Sequence, residues 1–241
     1  MHKEERHQIK RDDLATLLHG TAEWLGGHNR LALAAGAAVV AVALLVGAGT
    51  TWWRGRQATT SRLLGNLIET ANASVTATLE DLSQNRGGQP TFTSTEERDR
   101  KVIELADALE KRAGTAGAGG AATLYRAIAQ AGLGQTDDAA RGLDDLIRRD
   151  PNGLYGAMAR LRLAGLREAQ GKPTDALPLY QAIADAHGGL VPPEEGLLGM
   201  ARCQEALGHA DEAGKIYQRL VSDYPDSEYA GEAQTHLTNR T

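Results

Sequence analysis

Aromatic residues make up only 4% of the 241-residue chain, and Phe occurs once. A sheet core rich in β-branched and aromatic side chains is therefore poorly supplied. Ala and Leu must fill the interior, which suits closely packed helices. Cysteine is also scarce: Cys203 is the only one. An intrachain disulfide and any cysteine-based metal cluster are excluded, and the expected place of Cys203 is a small buried apolar position on a helix. An excess of basic charge is missing too. The formal net charge is −5, which argues against nucleic acid as the main partner. The charge is unevenly placed. Residues 1–30 carry five Lys/Arg and five Asp/Glu, so the acidic excess follows the apolar run described below.

Signatures of catalysis are absent as well. There is no Walker loop and no GxSxG, and the seven His make no HExxH or other ligand spacing. GTAGAGGAAT at 114–123 has the glycines of a dinucleotide loop but follows a helical pattern rather than a strand, so it reads as a link between helix pairs. Asp144–Asp145 and Glu194–Glu195 read as solvated acidic faces, and the Asn72-Ala-Ser sequon as chance. No catalytic, cofactor-binding or metal-ligating residue is expected, and the chain reads as a non-enzyme.

What is present begins with one long apolar run. Residues 31–53 read LALAAGAAVVAVALLVGAGTTWW without a charge. At about 1.5 Å per residue they span roughly 34 Å, enough to cross a hydrocarbon core of about 30 Å. Trp24 precedes the run and Trp52–Trp53 close it, as interfacial aromatics do. A cleaved signal peptide fits less well, because its apolar region spans about 7–15 residues and ends at a small-x-small site. The small pairs Ala32/Gly36 and Ala43/Gly47 are expected by chance in so Ala-rich a span. Flanking Lys/Arg are too evenly divided to orient it. In residues 1–30, Leu14, Leu17, Leu18, Thr21 and Leu25 have helical spacing behind Asp12–Asp13, which predicts a short amphipathic segment.

Beyond the span the sequence repeats. GQTDDA begins at Gly134, GKPTDA at Gly171 and GHADEA at Gly208, successively 37 residues apart. Four residues after each motif's Ala comes Leu143, Tyr180 or Tyr217, and three later Leu146, Ile183 or Leu220. Such a unit predicts a helix hairpin. Gly ends the first helix in a left-handed conformation, Asp137, Thr174 or Asp211 caps the second, Ala139, Ala176 and Ala213 let the helices approach, and Pro151 or Pro225 stops the unit. Residues 224–237 predict a single terminal helix that caps the stack. Upstream, Ser94 with Glu97 forms a capping box for a helix over 95–113, with Ile103, Leu105, Ala106 and Leu109 on its apolar side. Residues 54–84 are expected to carry the membrane helix outward, and 85–92 to break it.

These motifs resemble the tetratricopeptide repeat, whose period is about 34 residues. The three extra residues are expected in turns between repeats, such as HGGLVPP at 187–193. Ala127, Ala164 and Ala201 match the small position of the first helix, while Thr123, Arg160 and Leu197 replace its usual aromatic. The fold expected is all-α: an N-terminal amphipathic segment (1–30), a transmembrane helix (31–53), membrane-proximal helices (54–113) and an α-solenoid of tetratricopeptide-like hairpins (114–241). This order of parts, with IKRDDLATLLHGTAEWLGGHNR leading into the span, resembles the bacterial single-pass family that includes the ancillary subunit of the SecYEG translocon. The resemblance implies a bacterial inner-membrane protein with a cytoplasmic N-terminus and periplasmic repeats. The implied partners are Sec translocon subunits or translocating clients. The C-terminal EAGKIYQRLVSDYPDSEYAGEAQTHL also resembles periplasmic repeat proteins of outer-membrane assembly and of the Tol-Pal system, without the lipid-attachment cysteine of the lipoproteins among them.

A partner surface follows from the repeat frame. The first helix of each hairpin lines the concave side of such a stack. The candidate partner-binding residues are Leu124 and Ile128, then Met158, Leu161 and Glu168, then Leu198, Arg202 and Glu205, with Ala121, Gly165 and Glu195 on the same faces. Only Arg202 suits capture of a C-terminal carboxylate, so an apolar groove for a helix or an unfolded segment is expected. Packing of these Leu and Met residues into the core is the equal alternative. Two functions remain: a translocon-associated or chaperone-like adaptor, and a structural scaffold of an envelope or division complex.

Overall fold

The computed structural model describes residues 29–75, 90–114, 117–186 and 188–238, without the side chains of 29–40 and 51–57. The expected amphipathic segment in 1–30 and most of the 85–92 break lie outside the described residues. Among those described there are nine helices: α1 (Asn29–Ala71), α2 (Thr95–Ala113), α3 (Ala118–Gly132), α4 (Thr136–Arg149), α5 (Leu154–Ala169), α6 (Pro173–Ala184), α7 (Pro193–Ala206), α8 (Ala210–Asp223) and α9 (Glu228–Thr238). The chain divides into two units, Met1–Ala58 and Thr59–Thr241.

In the first unit the described structure is the opening of α1, which contains the expected span. Its side chains from 41 to 50 are exposed, Val42, Leu44, Leu45 and Val46 among them. Among the described residues no helix is long and apolar enough to cross a membrane; residues 31–40 and 51–53 of the expected span fall outside the described side chains.

In the second unit each helix from α2 onward packs on its successor, and α3, α5, α7 and α9 also touch in series. The hairpins are α3/α4, α5/α6 and α7/α8, and α9 packs on α8 and α7. The repeat periodicity is realised in the core. Ala139, Ala176 and Ala213 are buried, as are Leu143, Tyr180 and Tyr217, and Leu146, Ile183 and Leu220. Ala127, Ala164 and Ala201 are buried where the hairpins close, and Cys203 is buried beside them. Burial pushes the Cys203 thiol up to about 11.

The stack begins before residue 114. Leu67 near the end of α1 packs with Val102, Ala106 and Leu109 of α2 and with Ala122 and Ala129 of α3. The boundary expected at 113/114 is therefore internal to one compact unit, because the apolar side of α2 is covered by α3. The Ser94 hydroxyl accepts from the Glu97 N–H at 3.1 Å, as the capping box requires. The Glu97 carboxylate turns one residue further back than expected, to the Thr93 N–H and hydroxyl.

Three expectations are corrected by local geometry. Gly134, Gly171 and Gly208 do take left-handed φ of 76°, 69° and 79°. Each is followed at once by an N-cap, Gln135, Lys172 or His209, that makes no side-chain capping bond. Asp137, Thr174 and Asp211 are thus not caps but second helical residues. Backbone bonds fix the turn instead, for example Lys172 N–H to the Arg167 carbonyl at 2.9 Å. Next, the extra residues of the 37-residue period sit in a turn only once. Residues 185–192 join α6 to α7, but 150–153 alone join α4 to α5, where longer helices of 14 and 16 residues take up the difference. Finally, the link expected at 114–123 ends by Gly117. Gly119 and Gly120 belong to α3, where a Cβ on Gly120 would come 2.9 Å from the Tyr155 ring; the glycines serve close packing.

Candidate interaction cleft

A cleft of about 390 Å³ opens on the face of the first helices. Its walls come from α3 (Ala127, Ile128, Ala131), α4 (Leu143), α5 (Leu161, Arg162, Gly165, Leu166), α6 (Tyr180), α7 (Glu195, Leu198, Arg202) and α9 (Tyr229). Most of these side chains are apolar, and the volume lies within the range of natural ligand sites, about 300–1,000 Å³.

The polar wall is tightly organised. Arg202 donates from Nε to Glu168 Oε1 at 2.9 Å and from Nη2 to Oε2 at 3.3 Å. The Tyr180 hydroxyl donates to Glu168 Oε2 at 2.7 Å. Burial works to raise the Glu168 carboxyl, but the Arg202 and Tyr180 hydrogen bonds outweigh it and hold it below the usual carboxylate value. Burial likewise opposes the Arg202 charge, and Glu168 more than compensates. Tyr180 is raised by burial first and by Glu168 next. With this fork occupied by Glu168 and Nη1 at 3.8 Å from Glu232, Arg202 is poorly placed to grip an incoming carboxylate.

The expected surface residues divide three ways. Ile128, Leu161, Leu198 and Arg202 are brought together in the cleft, with Gly165 and Glu195. Leu124 is a correction: at 1% exposure it packs with Ala127, Ala139 and Leu143, because α4 and α5 close over it. Met158 is half-buried against the same cluster, and Leu198, although it touches the cleft, is 3% exposed. Glu168 stands behind the cleft as the partner of Arg202 and Tyr180. Glu205 lies apart, accepting from Tyr217 at 3.1 Å and facing His236 Nδ1 at 3.2 Å.

Sequence reasoning missed Arg162, Tyr180 and Tyr229 as cleft residues and read Glu195 in part as a solvated acid. A signal for the Tyr180 clasp was available. Glu168 precedes Tyr180 by 12 residues, and Glu205 precedes Tyr217 by 12. Tyr229 carried no such signal, since it lies beyond the three 37-residue motifs.

This architecture defines an all-α solenoid of tetratricopeptide-like hairpins. The chain belongs to the tetratricopeptide repeat-like domain family, which it matches over residues 28–189. Residues 168–237 also match the tetratricopeptide repeat. No curated protein matches the chain. Among solved structures, a Podosopora anserina protein described as a kinesin light chain with nearly identical TPR-like repeats is 14% identical, over 75% of this chain and 85% of its own, with a TM-score of 0.55. MamA from Desulfovibrio magneticus RS-1 is 16% identical over 66% of this chain and 89% of its own, with a TM-score of 0.46. The first similarity speaks for the fold alone.

Proposed function

We propose that this protein is a membrane-anchored interaction module that offers the α3–α5–α7 cleft to a protein partner. We place it at the bacterial inner membrane, N-terminus cytoplasmic and repeats periplasmic, as a translocon-associated adaptor or chaperone-like factor without catalytic activity. The observation that carries the interaction reading is the cleft itself: an open apolar floor on the serial face of a repeat stack, edged by charge. The anchor is supported by the uncharged run 31–53, by its inclusion in the unbroken helix Asn29–Ala71, and by the exposure of Val42, Leu44, Leu45 and Val46. The family-like order of parts supports the topology and the translocon.

Gentle detergent extraction followed by affinity capture tests the partner. Recovery of translocon subunits supports the adaptor. A stable complex with cell-wall or division proteins instead supports a scaffold, a second reading favoured by the burial of Leu124 and Leu198, which narrows the expected apolar ladder. A reporter active only outside the cytoplasm, fused after Thr241, is expected to be active; activity from an N-terminal fusion instead overturns the topology.

A further inference from the structure

The cleft is unevenly lined along its length. At the α3 end its walls are Ala127, Ile128, Ala131 and Leu143, continued by Leu161 and Leu166 of α5. At the α7 end they include Glu195 and Tyr229. The charges of Glu194 and Glu228 act on both of these residues. Glu232 of α9 lies 3.8 Å from Arg202. With Glu168, five carboxylates thus lie around two guanidiniums, Arg162 and Arg202, and Arg202 is already paired with both Glu168 and Glu232. The repeat frame explains the polarity. Arg202 occupies the position of Gly165 and Ile128, and Glu195 that of Met158 and Ala121, so at these two frame positions charge enters only in the third repeat.

We propose that the cleft takes a peptide segment that seats a large apolar side chain at the α3 end and sets a Lys or Arg against Glu195 and Glu228. The inference rests on the cleft reading above and adds its charge requirement. Charge complementarity selects this occupant over an acidic one. A cation there meets a surplus of carboxylates, whereas an incoming carboxylate finds Arg202 engaged, Arg162 acting on Glu195, and acids that outnumber both guanidiniums. The state of Glu195 agrees: burial raises it first, Glu228 and Glu194 add to the rise, and the opposing charges of Arg162 and Arg202 do not cancel it. A bound cation relieves that repulsion.

The test uses the full-length protein in nanodiscs of neutral lipid, with empty nanodiscs as the blank. A dye-labelled Leu/Ala peptide ending in two lysines is titrated beside its counterpart ending in two glutamates, and fluorescence anisotropy is read at low salt. The lysine peptide is expected to bind at least about tenfold more tightly, the effect of a close charge pair. High salt should reduce that preference. In the Glu195→Gln/Glu228→Gln variant it should fall below about threefold. Glu195→Gln alone, checked for unchanged helical content by circular dichroism, keeps the comparison decisive if the double variant unfolds. Equal affinities, or tighter binding of the glutamate peptide, overturn the charge requirement and leave the cleft reading standing. Binding of neither peptide overturns both.

Discussion

The Tyr180 hydroxyl on α6 donates to Glu168 on α5 at 2.7 Å, and one repeat later Tyr217 on α8 donates to Glu205 on α7 at 3.1 Å. Each clasp ties the two helices of a hairpin, and its carboxylate reaches on to the next first helix. Glu168 meets Arg202 on α7, and Glu205 meets His236 on α9, whose ring stacks on Tyr217 at 4.7 Å. The corresponding residues of the first repeat are Ala131 and Leu143, which line the cleft. The same frame position is therefore a polar tie in two repeats and an apolar wall in the other.

The clasps make stability depend on pH at both extremes. Tyr180 and Tyr217 are raised, each by burial first, so the fold favours the protonated phenol. Their contribution is complete below the unfolded value of about 10 and is lost as pH rises through the folded one. Glu168 is lowered, so its contribution is present above the usual carboxylate value and is lost as pH falls through the folded one. The urea midpoint, followed by circular dichroism, is expected to drop on both limbs. Tyr180→Phe/Tyr217→Phe should flatten the alkaline limb and cost about 1 kcal/mol per hydroxyl near neutrality. An unchanged alkaline limb would show that the clasps are not formed in solution.

Two glycines on neighbouring first helices should respond oppositely to Ala. A Cβ on Gly199 would overlap the Tyr180 ring, whereas one on Gly165 would meet only the Tyr180 hydroxyl at 3.8 Å. Gly199→Ala is expected to destabilise by about 1–3 kcal/mol through overpacking. Gly165→Ala should stabilise by up to about 1 kcal/mol through helix propensity. Thermal melts that move in the same direction for both variants would contradict this placement of the Tyr180 ring.

The apolar ladder separates into core and surface. Leu124 and Leu198 are buried, so Leu124→Ala and Leu198→Ala should each cost about 2–5 kcal/mol. Ile128 is 38% exposed at the cleft edge, and Ile128→Ser should cost much less while abolishing recovery of the partner. Denaturant melts of the three variants, run before any partner is known, check the first half. Partner capture with folded Ile128→Ser checks the second.

The membrane reading has its own variant. One Arg at the centre of a span costs about 2.5–3.5 kcal/mol of insertion free energy. Val42→Arg should move the protein into the alkaline-soluble fraction while the helices from Thr95 onward stay folded. Complete retention in the membrane pellet would mean that residues 31–53 are not the anchor.

Much of the stack was legible in the sequence because it follows from short-range chemistry. The left-handed glycines at 134, 171 and 208, the small residues at 139, 176 and 213, and the apolar residues that follow them repeat in register, and one hairpin's physics applies to each. The start of the second helices was misplaced at Asp137, Thr174 and Asp211 because backbone bonds around each glycine, rather than a side-chain cap, fix that turn.

The sequence by itself determined the helical class, the period and the buried ladder, since each depends on residues within one hairpin. Only the tertiary structure decided which members of a shared position face the cleft. Leu124, Leu161 and Leu198 occupy one frame position, yet Leu124 is covered by α4 and α5 while Leu161 and Leu198 reach the cleft. Ala131 and Leu143 open the first repeat where Glu168 and Tyr180 close the second, and Tyr229 enters from a helix outside the period. These outcomes depend on what each neighbouring helix brings across the gap, a contact between residues distant in the chain that no local pattern contains.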